Sequence, residues 1–446
     1  MLGLLRRLRN LGSPPSTPAK SRQALRFGIL GAARIGPNAL ITPARSHPDV
    51  VVHAVASRDP AKAAAYAQMH RIPKVYSGGA CYQGTLPKQQ HTHKRTGFQR
   101  FTVAGLVTKV DLLDDCDIDV VYIALPNGLH FEWAMRALER GKHVLVEKPM
   151  ADTAAEAQYL VDLAAKKGLV LLEAIHYFFH PAVQRVKEII DSGELGKIKC
   201  VNADFHPAVQ RVKEIIDSGE LGKIKYVNAE FAVPNIPDGI IFLKDDVRYD
   251  YNLGGGAMMD MGVYTLSAIR YFTSSEPVKV TEAAATGYKL DPKRVDRAMH
   301  ARYLLPQSID AETFVDFSMP GWGPFQLLPQ AFKLTVYFEL EGGHLELYNF
   351  PIPHVYHSIK IKPRGRKVRV EKAYVFEDGR GEDWWTSYRY QLEAFVEKVR
   401  GRQPQWWPAD DEAVRQLQWV ENVYTAAEMP VRPTSRAFCP PPDDEV

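Results

Sequence analysis

Near its N-terminus the chain reads Arg26-Phe27-Gly28-Ile29-Leu30-Gly31-Ala32-Ala33-Arg34-Ile35-Gly36, a short apolar run that ends in a glycine turn. The apolar run is typical of a buried first strand, and the turn is similar to the G-x-G-x-x-G fingerprint that cradles a dinucleotide. Ala33 stands where the fingerprint has its middle glycine, at which the backbone approaches the pyrophosphate. One methyl group is a small departure. The turn therefore provides four candidate cofactor-binding residues: Gly31, Ala33, Arg34 and Ile35.

A second apolar run, Val50 to Ala56, ends at Ser57-Arg58-Asp59. An acidic residue at the end of this strand would bind the ribose 2′-hydroxyl of NAD, whereas a nearby arginine suits the 2′-phosphate of NADP. Ser57 and Arg58 therefore predict a preference for NADP. Two alternatives stay open: Arg58 is only a solvated surface charge, or Asp59 accepts the ribose hydroxyl and NAD is used as well.

Strands and helices then alternate through the first half of the chain. The pattern predicts helices over 61–69, 130–138 and 152–167, and strands over 118–125, 144–146 and 170–174. This alternation is typical of an α/β fold with a doubly wound parallel Rossmann sheet. Ligands bind outside the carboxyl ends of such strands. The segment that follows the 118–125 strand therefore adds four candidate cofactor-binding residues: Leu125, Pro126, Asn127 and His130.

The 144–146 strand belongs to the run His143-Val144-Leu145-Val146-Glu147-Lys148-Pro149, which ends in an acid, a lysine and a proline. A lysine at such a strand end points its amine at whatever a bound nucleotide faces. Pro149 also restricts Lys148 to extended backbone. Glu147 and Lys148 are therefore candidate site residues. The alternative is that Lys148 is an ordinary exposed lysine at a strand end.

A second dense cluster begins at Leu253-Gly254-Gly255-Gly256 and continues into a predicted helix over 257–271. Asp260 and Tyr264 are four residues apart on that helix, so both lie on one face. Tyrosine can donate and accept a proton, and a nearby lysine cation would lower its pKa. Asp260 would orient the substrate or balance the lysine. The alternative is a glycine cap followed by a buried helix with one hydrogen-bonded tyrosine.

Taken together, these segments resemble the glucose–fructose oxidoreductase / inositol dehydrogenase (Gfo/Idh/MocA) family, over roughly residues 25 to 435. The Glu147-Lys148-Pro149 triplet and the Asp260-x-Gly262-x-Tyr264 helix carry the resemblance. Residues 383–391 and 431–435 look most like the branch of dimeric dihydrodiol dehydrogenase and NADP-dependent D-xylose dehydrogenase. The resemblance implies that Lys148 and Tyr264 are the catalytic pair, with Tyr264 as general acid/base.

The same resemblance implies an NADP-dependent dehydrogenase that acts on a CH–OH group of a D-xylose-like sugar or a trans-dihydrodiol. It also implies a C-terminal α/β domain with a large open, mostly antiparallel sheet that carries substrate and homodimer contacts. One position departs from the family pattern: Phe178 stands where we expect an arginine, near the junction with the active site. This departure favours a second hypothesis, a non-catalytic nucleotide-sensing regulator or a damaged gene product on the same fold.

Two segments do not fit the family pattern. Residues 180–205 recur almost verbatim as 206–231, with differences only at Cys200/Tyr226 and Asp204/Glu230. We expect the second copy to keep the native place, since it continues without a break into Ala232. Residues 84–110 contain His91, His93 and several basic residues but no acid. They resemble a translated intron or a surface loop, and two histidines without a third ligand do not predict a metal site.

These observations predict four regions: a disordered leader (1–24), a Rossmann domain (25–175), a substrate and dimerisation domain (176–435) and a tail (436–446). The 446 residues are 46% hydrophobic and 24% charged, as in a soluble globular protein. The net charge of +4 is too small to indicate nucleic-acid binding. No apolar run is long enough to span a bilayer.

The four cysteines have no C-x-x-C spacing, which fits a reducing compartment. The leader is basic and lacks acids, so a mitochondrial transit peptide is an alternative to the cytoplasmic location that we expect. We expect a small-molecule sugar or diol as substrate, and neither a metal, nor a nucleic-acid partner, nor a membrane.

Overall fold

The first of two sheets is the parallel sheet that the sequence predicts. The computed structural model describes residues 9–77, 112–179, 224–235, 246–323, 325–326, 328–376 and 379–439, together with 211–212, 215–216, 218 and 221. The strands of this sheet are β1 (Leu25–Leu30), β2 (Val50–Ser57), β3 (Lys74–Ser77), β4 (Val120–Ile123), β5 (His143–Val146) and β6 (Leu171–Glu173). They pair in the order β3-β2-β1-β4-β5-β6, and every pair is parallel. The order reverses between β1 and β4, so a crevice for a ligand forms at their carboxyl ends.

Four helices accompany this sheet: α1 (Thr42–Arg45), α2 (Pro60–His70), α3 (His130–Glu139) and α4 (Ala154–Lys167). A π-helical turn, Pro37–Ile41, leads from the glycine turn into α1. The predicted 152–167 helix begins at Ala154 instead, because Thr153 and Glu156 form a capping box. It ends at Lys167 and is followed by Gly168, whose φ of 63° is readily adopted by glycine.

The second sheet is large and open, as the family resemblance implies. Its strands are β7 (Ile224–Pro234), β8 (Lys279–Tyr288), β9 (Asp291–Leu305), β10 (Ile309–Met319), β11 (Lys333–Leu340), β12 (Gly343–Tyr348), β13 (Ser358–Pro363) and β14 (Arg369–Glu371). The order is β14-β13-β12-β11-β7-β10-β9-β8. Among these pairs only β7 and β10 are parallel.

The second copy of the repeated unit supplies β7, which lies between β10 and β11 in this sheet. Three apolar side chains just before it, Val212, Ile215 and Leu221, are buried. These residues of the second copy are therefore part of the folded body, and the expectation that this copy keeps the native place stays a prediction. The first copy (180–205), the 84–110 segment and the histidines 91 and 93 lie outside the described residues.

The predicted 257–271 helix is not α-helical throughout. A π-helical turn, Met258–Gly262, precedes α5 (Val263–Phe272). Two further helices, α6 (Ser387–Val399) and α7 (Glu412–Ala426), follow the second sheet. Helix α7 packs on both α4 and α5, and α6 packs on residues 176–179 and on the turn before α1. The C-terminal segment therefore joins the two sheets into one body.

Part of the leader and part of the tail are attached to the Rossmann domain. The Lys20 ammonium donates to the backbone carbonyls of Ala44, Arg45 and His47 at 2.6 to 3.3 Å. In the tail, the Phe438 ring lies 5.4 Å from the Phe131 ring. Lys20, in the segment that we expect to be a disordered leader, is therefore held by the carbonyls at the end of α1. Within the described residues, we find no helix with the length and apolarity that a membrane span requires.

Candidate active site

The glycine turn lies at the carboxyl end of β1, against β4. Gly31 has a φ of 105°, and a Cβ there would lie 2.4 Å from the carbonyl oxygen of Ala124. Glycine is therefore required at the first fingerprint position. Gly36 likewise leaves room for the Tyr66 hydroxyl, which donates to the Ala33 carbonyl at 3.2 Å. The backbone of the turn is thus held at the crevice, with the Arg34 side chain exposed.

The end of β2 presents an arginine to solvent beside the same crevice. Ser57 is buried at the strand end, and Arg58 is exposed. Asp59 is the N-cap of α2, and its Oδ1 accepts from the backbone amides of Ala61 and Lys62 at 2.9 and 3.1 Å. The Asp59 carboxylate is therefore engaged in capping α2. Arg58 remains the candidate for contact with a 2′-phosphate.

The loop after β4 connects the glycine turn to the lysine loop. The His130 ring is fully buried, with Nδ1 2.7 Å from the Pro149 carbonyl oxygen and Nε2 2.8 Å from the Leu125 carbonyl oxygen. Burial lowers the pKa of His130, although the hydrogen bonds to the Pro149 and Leu125 carbonyls oppose the shift. Both ring nitrogens face the protein backbone. These contacts indicate that His130 positions the two loops, and its direct contact with a cofactor stays a prediction.

The same loop also reaches the second glycine cluster. Asn127 Nδ2 donates to the carbonyl oxygen of Gly254 at 3.1 Å. Gly254 has no room for a side chain, since a Cβ there would lie 2.1 Å from Oδ1 of Asp152. Leu125, Pro126 and Asn127 are all half-buried at the carboxyl end of β4. The structure thus places these predicted residues between the Rossmann sheet and the glycine cluster.

Lys148 and Asp260 meet, as the sequence predicts. The Lys148 ammonium lies 2.6 Å from Oδ1 of Asp260 and 2.7 Å from its backbone carbonyl oxygen, and the two side chains are 12% and 14% exposed. Asp260 Oδ2 accepts from Arg248 Nε at 2.9 Å. Burial alone would raise the pKa of Asp260, but the charges of Arg248 and Lys148 hold it well below its ordinary value. Asp260 is therefore a permanent carboxylate that balances the lysine.

Tyr264 lies beside this ion pair, with the Lys148 ammonium 5.0 Å from the centre of its ring. Burial raises the pKa of Tyr264 well above its ordinary value, and the nearby Tyr388, Glu147 and Asp260 raise it further. The expectation that the lysine makes this tyrosine acidic is therefore wrong for this structure. The reason is that the ammonium faces the ring and is neutralised by Asp260.

Glu147 contacts the neighbouring strand. Its side chain is half-buried, and its Oε1 accepts from the hydroxyl of Tyr122 in β4 at 2.5 Å. Burial raises the pKa of Glu147, although the hydrogen bond to Tyr122 and the charge of Lys148 oppose the shift. Glu147 therefore links β5 to β4 beneath the crevice. The sequence offered no signal for Tyr122 beyond its place in an apolar strand.

A buried ion pair makes hydrogen bonds to the backbone of the glycine cluster and of the turn that follows it. The side chains of Asp296 in β9 and Arg432, beyond α7, are 2.9 Å apart and fully buried. Arg432 Nε donates to the Gly255 carbonyl at 2.6 Å, and Asp296 Oδ2 accepts from the Met258 amide at 2.7 Å. Sequence reasoning noted the 431–435 segment only as a resemblance and missed the role of both residues.

Phe178, where we expect an arginine, is buried in the 3-10 turn His176–Phe179. Its ring lies 5.5 Å from that of Trp406, in the wall of a cavity of about 200 Å³ that is also lined by Met150 and Glu173. Burial raises the pKa of Glu173 to about 7. Phe178 therefore contributes apolar packing near Met150 where we expect a cation, and Lys148 and Asp260 form their ion pair in its presence.

A polar cluster that the sequence did not reveal lies on the far side of Tyr264. Ser387 Oγ lies 3.0 Å from Nδ1 of His176 and 2.6 Å from Nδ1 of His354. The Tyr388 ring lies 3.9 Å from the His176 ring, which in turn lies 6.1 Å from the Tyr264 ring. Tyr388 belongs to the 383–391 segment that we noted as family-like, and His176 lies two residues before Phe178, but the sequence gave neither a role.

One group of potential metal ligands lies elsewhere, at His53, Asp115 and Asp117. The Lys74 ammonium lies 3.1 Å from Asp115 and 2.7 Å from Asp117. These contacts raise the pKa of Lys74, chiefly through the hydrogen bonds to Asp117 and Asp115. A protein cation therefore neutralises this cluster, and we assign it no metal.

Two family models match the chain. An oxidoreductase family with an NAD-binding Rossmann fold matches residues 25–175, and the GFO/IDH/MocA C-terminal domain matches residues 209–327. The chain belongs to the GFO/IDH/MocA family. The second model begins inside the second copy of the repeated unit, in agreement with the position of β7 in the sheet.

Curated relatives within the GFO/IDH/MocA family differ in their named substrates. D-xylose 1-dehydrogenase (NADP(+)) 2 of Haloferax volcanii is 34% identical over 55% of this chain and 56% of the relative. A dTDP-3,4-didehydro-2,6-dideoxy-alpha-D-glucose 3-reductase of Saccharopolyspora spinosa is 33% identical over 56% of this chain and 57% of the relative. The trans-1,2-dihydrobenzene-1,2-diol dehydrogenase of Xenopus tropicalis is 26% identical over 62% and 64%. The chain thus spans less than two thirds of the length of these relatives.

Solved structures share the fold of this GFO/IDH/MocA chain. A 3-ketoreductase from Actinomadura kijaniata, in complex with NADP and TDP-benzene, has a TM-score of 0.65 at 23% identity and covers 90% of this chain and 98% of its own. An aldose-aldose oxidoreductase from Caulobacter crescentus, complexed with glycerol, has a TM-score of 0.64 at 21% identity, covering 91% and 97%. At these identities the likeness demonstrates the shared fold.

Proposed function

We propose that this chain is an NADP-dependent oxidoreductase that interconverts a hydroxyl and a carbonyl group on a sugar or a cyclic trans-diol. The observation that carries the proposal is the meeting of Lys148, Asp260 and Tyr264 at the carboxyl end of β5. The relatives that act on sugars, sugar nucleotides and diols support a polyhydroxylated substrate class.

The residues at the crevice fit a dinucleotide. The glycine turn at Gly31 leaves no space for a side chain, and the following turn of helix begins directly beyond it, as a pyrophosphate site requires. Arg58 at the end of β2 would hold a 2′-phosphate. Lys148 follows β5, on the same edge of the sheet. When bound there, the nicotinamide supplies hydride acceptance or donation at the substrate carbon.

Lys148 is suited to hold the substrate oxygen. An ammonium group has three N–H donors, and two of them are used by the carbonyl and the carboxylate of Asp260. The third has no hydrogen-bond partner among the residues that the structure describes. Because Asp260 fixes the ammonium in place, this donor is positioned before a substrate arrives, which lowers the cost of reorganisation.

Tyr264 is suited to exchange the proton. Its raised pKa keeps the phenol protonated at neutral pH, so it acts as the proton donor when a carbonyl oxygen is reduced to a hydroxyl. In the opposite direction Tyr264 accepts the proton of the substrate hydroxyl only as the phenolate, so the raised pKa should make oxidation faster as the pH rises. Asp260, held as a carboxylate by two cations, does not need to titrate in either direction.

The test is an NADP⁺ reduction assay over a panel of aldoses and trans-diols, with Tyr264→Phe and Lys148→Met compared with the wild type. Loss of proton transfer should lower kcat by about 10²–10⁴-fold, while NADP⁺ affinity measured by calorimetry stays close to that of the wild type. The matched controls are Tyr303→Phe and Lys166→Met. The Tyr303 hydroxyl is hydrogen-bonded to that of Thr313 within the second sheet, and Lys166 is exposed on α4.

Two outcomes would contradict the proposal. If Tyr264→Phe retains near-normal kcat, the tyrosine is structural. If the wild type binds NADP⁺ and turns over no member of the panel, the nucleotide-sensing regulator is favoured instead.

The domain limits, the cytoplasmic location and the homodimer through the second sheet stay predictions. Between β10 and β11, three apolar side chains are exposed: Trp322, Phe325 and Leu328. Exposed apolar side chains of this kind favour a homodimer contact through the second sheet.

A further inference from the structure

Two tyrosine hydroxyls at the site make no hydrogen bond to any residue that the structure describes: those of Tyr264 and Tyr388. Both residues are buried, with 7% and 8% of their surface exposed. Their neighbours Tyr122 and Tyr177, by contrast, donate to Glu147 and pair with Ser267. Neither hydroxyl oxygen is among the buried side-chain atoms that lack a partner, so both are accessible to solvent although most of each residue is buried. The two hydroxyls are therefore available to a ligand.

Both phenol rings lie close to the ring of His176. The Tyr388 ring lies 3.9 Å from the His176 ring, and the Tyr264 ring lies 6.1 Å from it. Burial raises the pKa of Tyr264, and the nearby Tyr388 raises it further. Burial likewise raises the pKa of Tyr388, and the nearby Glu147 raises it further. Tyr388 therefore shares its surroundings with Tyr264 and with the end of β5.

The Tyr388 ring is held in place by the protein. Thr386 caps α6 by accepting from the Arg389 amide at 3.1 Å, which fixes the first turn of the helix. The next residue, Ser387, lies within hydrogen-bond distance of His176 at 3.0 Å and of His354 at 2.6 Å. A side chain supported in this way is preorganised, as a substrate-binding group needs to be.

We propose that Tyr388 is a specificity-determining residue, whose hydroxyl binds the oxygen on the carbon next to the one that Tyr264 serves. This inference rests on the proposed oxidoreductase function and names its substrate class as vicinal diols, in cyclic form or within a sugar. One phenol exchanges the proton at the reacting oxygen, and the other hydrogen-bonds the neighbouring hydroxyl. A site that binds a substrate hydroxyl in this way rejects analogues that lack it.

The test compares trans-cyclohexane-1,2-diol with cyclohexanol, which lacks the neighbouring hydroxyl. The measured quantity is the preference ratio, kcat/KM for the diol divided by kcat/KM for cyclohexanol, in NADP⁺ reduction by the full chain. Tyr388→Phe should lower this ratio by about tenfold or more, because the diol then leaves one hydroxyl unpaired. The control Tyr303→Phe, which removes a hydroxyl bonded to Thr313 in the second sheet, should leave the ratio unchanged.

A second measurement separates this inference from the proposed function. Calorimetry of the NADP⁺-loaded protein gives the affinity for the diol without any turnover. Weaker diol binding by Tyr388→Phe, with no turnover by the wild type, supports the role of Tyr388 and contradicts the oxidoreductase proposal. If the enzyme turns over and Tyr388→Phe leaves the preference ratio unchanged, the assignment of Tyr388 is overturned. If there is no turnover, a diol affinity that is unchanged in Tyr388→Phe, or too weak to measure in the wild type, overturns it as well.

Discussion

Cofactor choice is decided at the scale of one residue, at the end of β2. Arg58 is exposed beside the crevice, and the acid next to it, Asp59, caps α2. Arg58→Ala should therefore remove a partner of the 2′-phosphate, which NAD⁺ lacks. A charge-assisted hydrogen bond contributes about 1.5–3 kcal/mol, so we expect KM for NADP⁺ to rise by roughly tenfold to a hundredfold. Initial-rate kinetics with each cofactor measure this change.

The matched control for this change is Arg22→Ala. Arg22 is also exposed, but it precedes β1 and so lies at the opposite edge of the sheet from the crevice. Its removal should leave both cofactor constants unchanged. An equal rise in KM for NAD⁺ and NADP⁺ in Arg58→Ala would remove Arg58 from the phosphate site and leave it as a solvated charge.

At the scale of an element, the turn before α5 depends on a buried ion pair. Arg432 and Asp296 are both fully buried, and together they hold the Gly255 carbonyl and the Met258 amide. Removing one partner of such a pair leaves an uncompensated charge and costs about 3–5 kcal/mol. Arg432→Met should lower the free energy of unfolding by this amount in urea denaturation.

Arg436→Met is the control for the same measurement, because Arg436 is exposed only a few residues away. Surface changes of this kind usually alter stability by less than about 0.5 kcal/mol. A loss below about 1 kcal/mol in Arg432→Met would mean that the ion pair does not support the turn. Since Asp260 lies in that turn, a displaced turn should also weaken the hold on Lys148.

The elements themselves show what a sequence can predict. Strand ends and glycine turns are local patterns, so Gly31, Lys148 and the Asp260–Tyr264 spacing were all located from the sequence. Asp296 and Arg432 meet only because β9 and the segment after α7 pack together, a contact that no local spacing encodes. The acidity of Tyr264 was predicted wrongly for a related reason: burial determines it, and burial is a property of the whole fold.

At the scale of the whole molecule, the active site is assembled from both sheets and the C-terminal helices. Lys148 comes from the Rossmann sheet, Tyr264 from α5 and Tyr388 from α6. Helix α7 packs on α4 of one part and on α5 of the other, so it fixes their relative positions. The segments that interrupt this body are therefore the ones whose removal should leave the site intact.

The segments that interrupt the folded body are residues 84–110 and 180–205. The two family models leave residues 176–208 unmatched, and the second copy already supplies β7 in the large sheet. A first copy with the same amphipathic pattern competes for that place, and the copy that loses exposes apolar side chains. Deleting both segments should raise the soluble yield and preserve or restore NADP⁺ binding. Deleting 84–110 alone is the control for the repeated unit. An active full-length chain whose double deletion fails to fold would show that both segments are genuine structure.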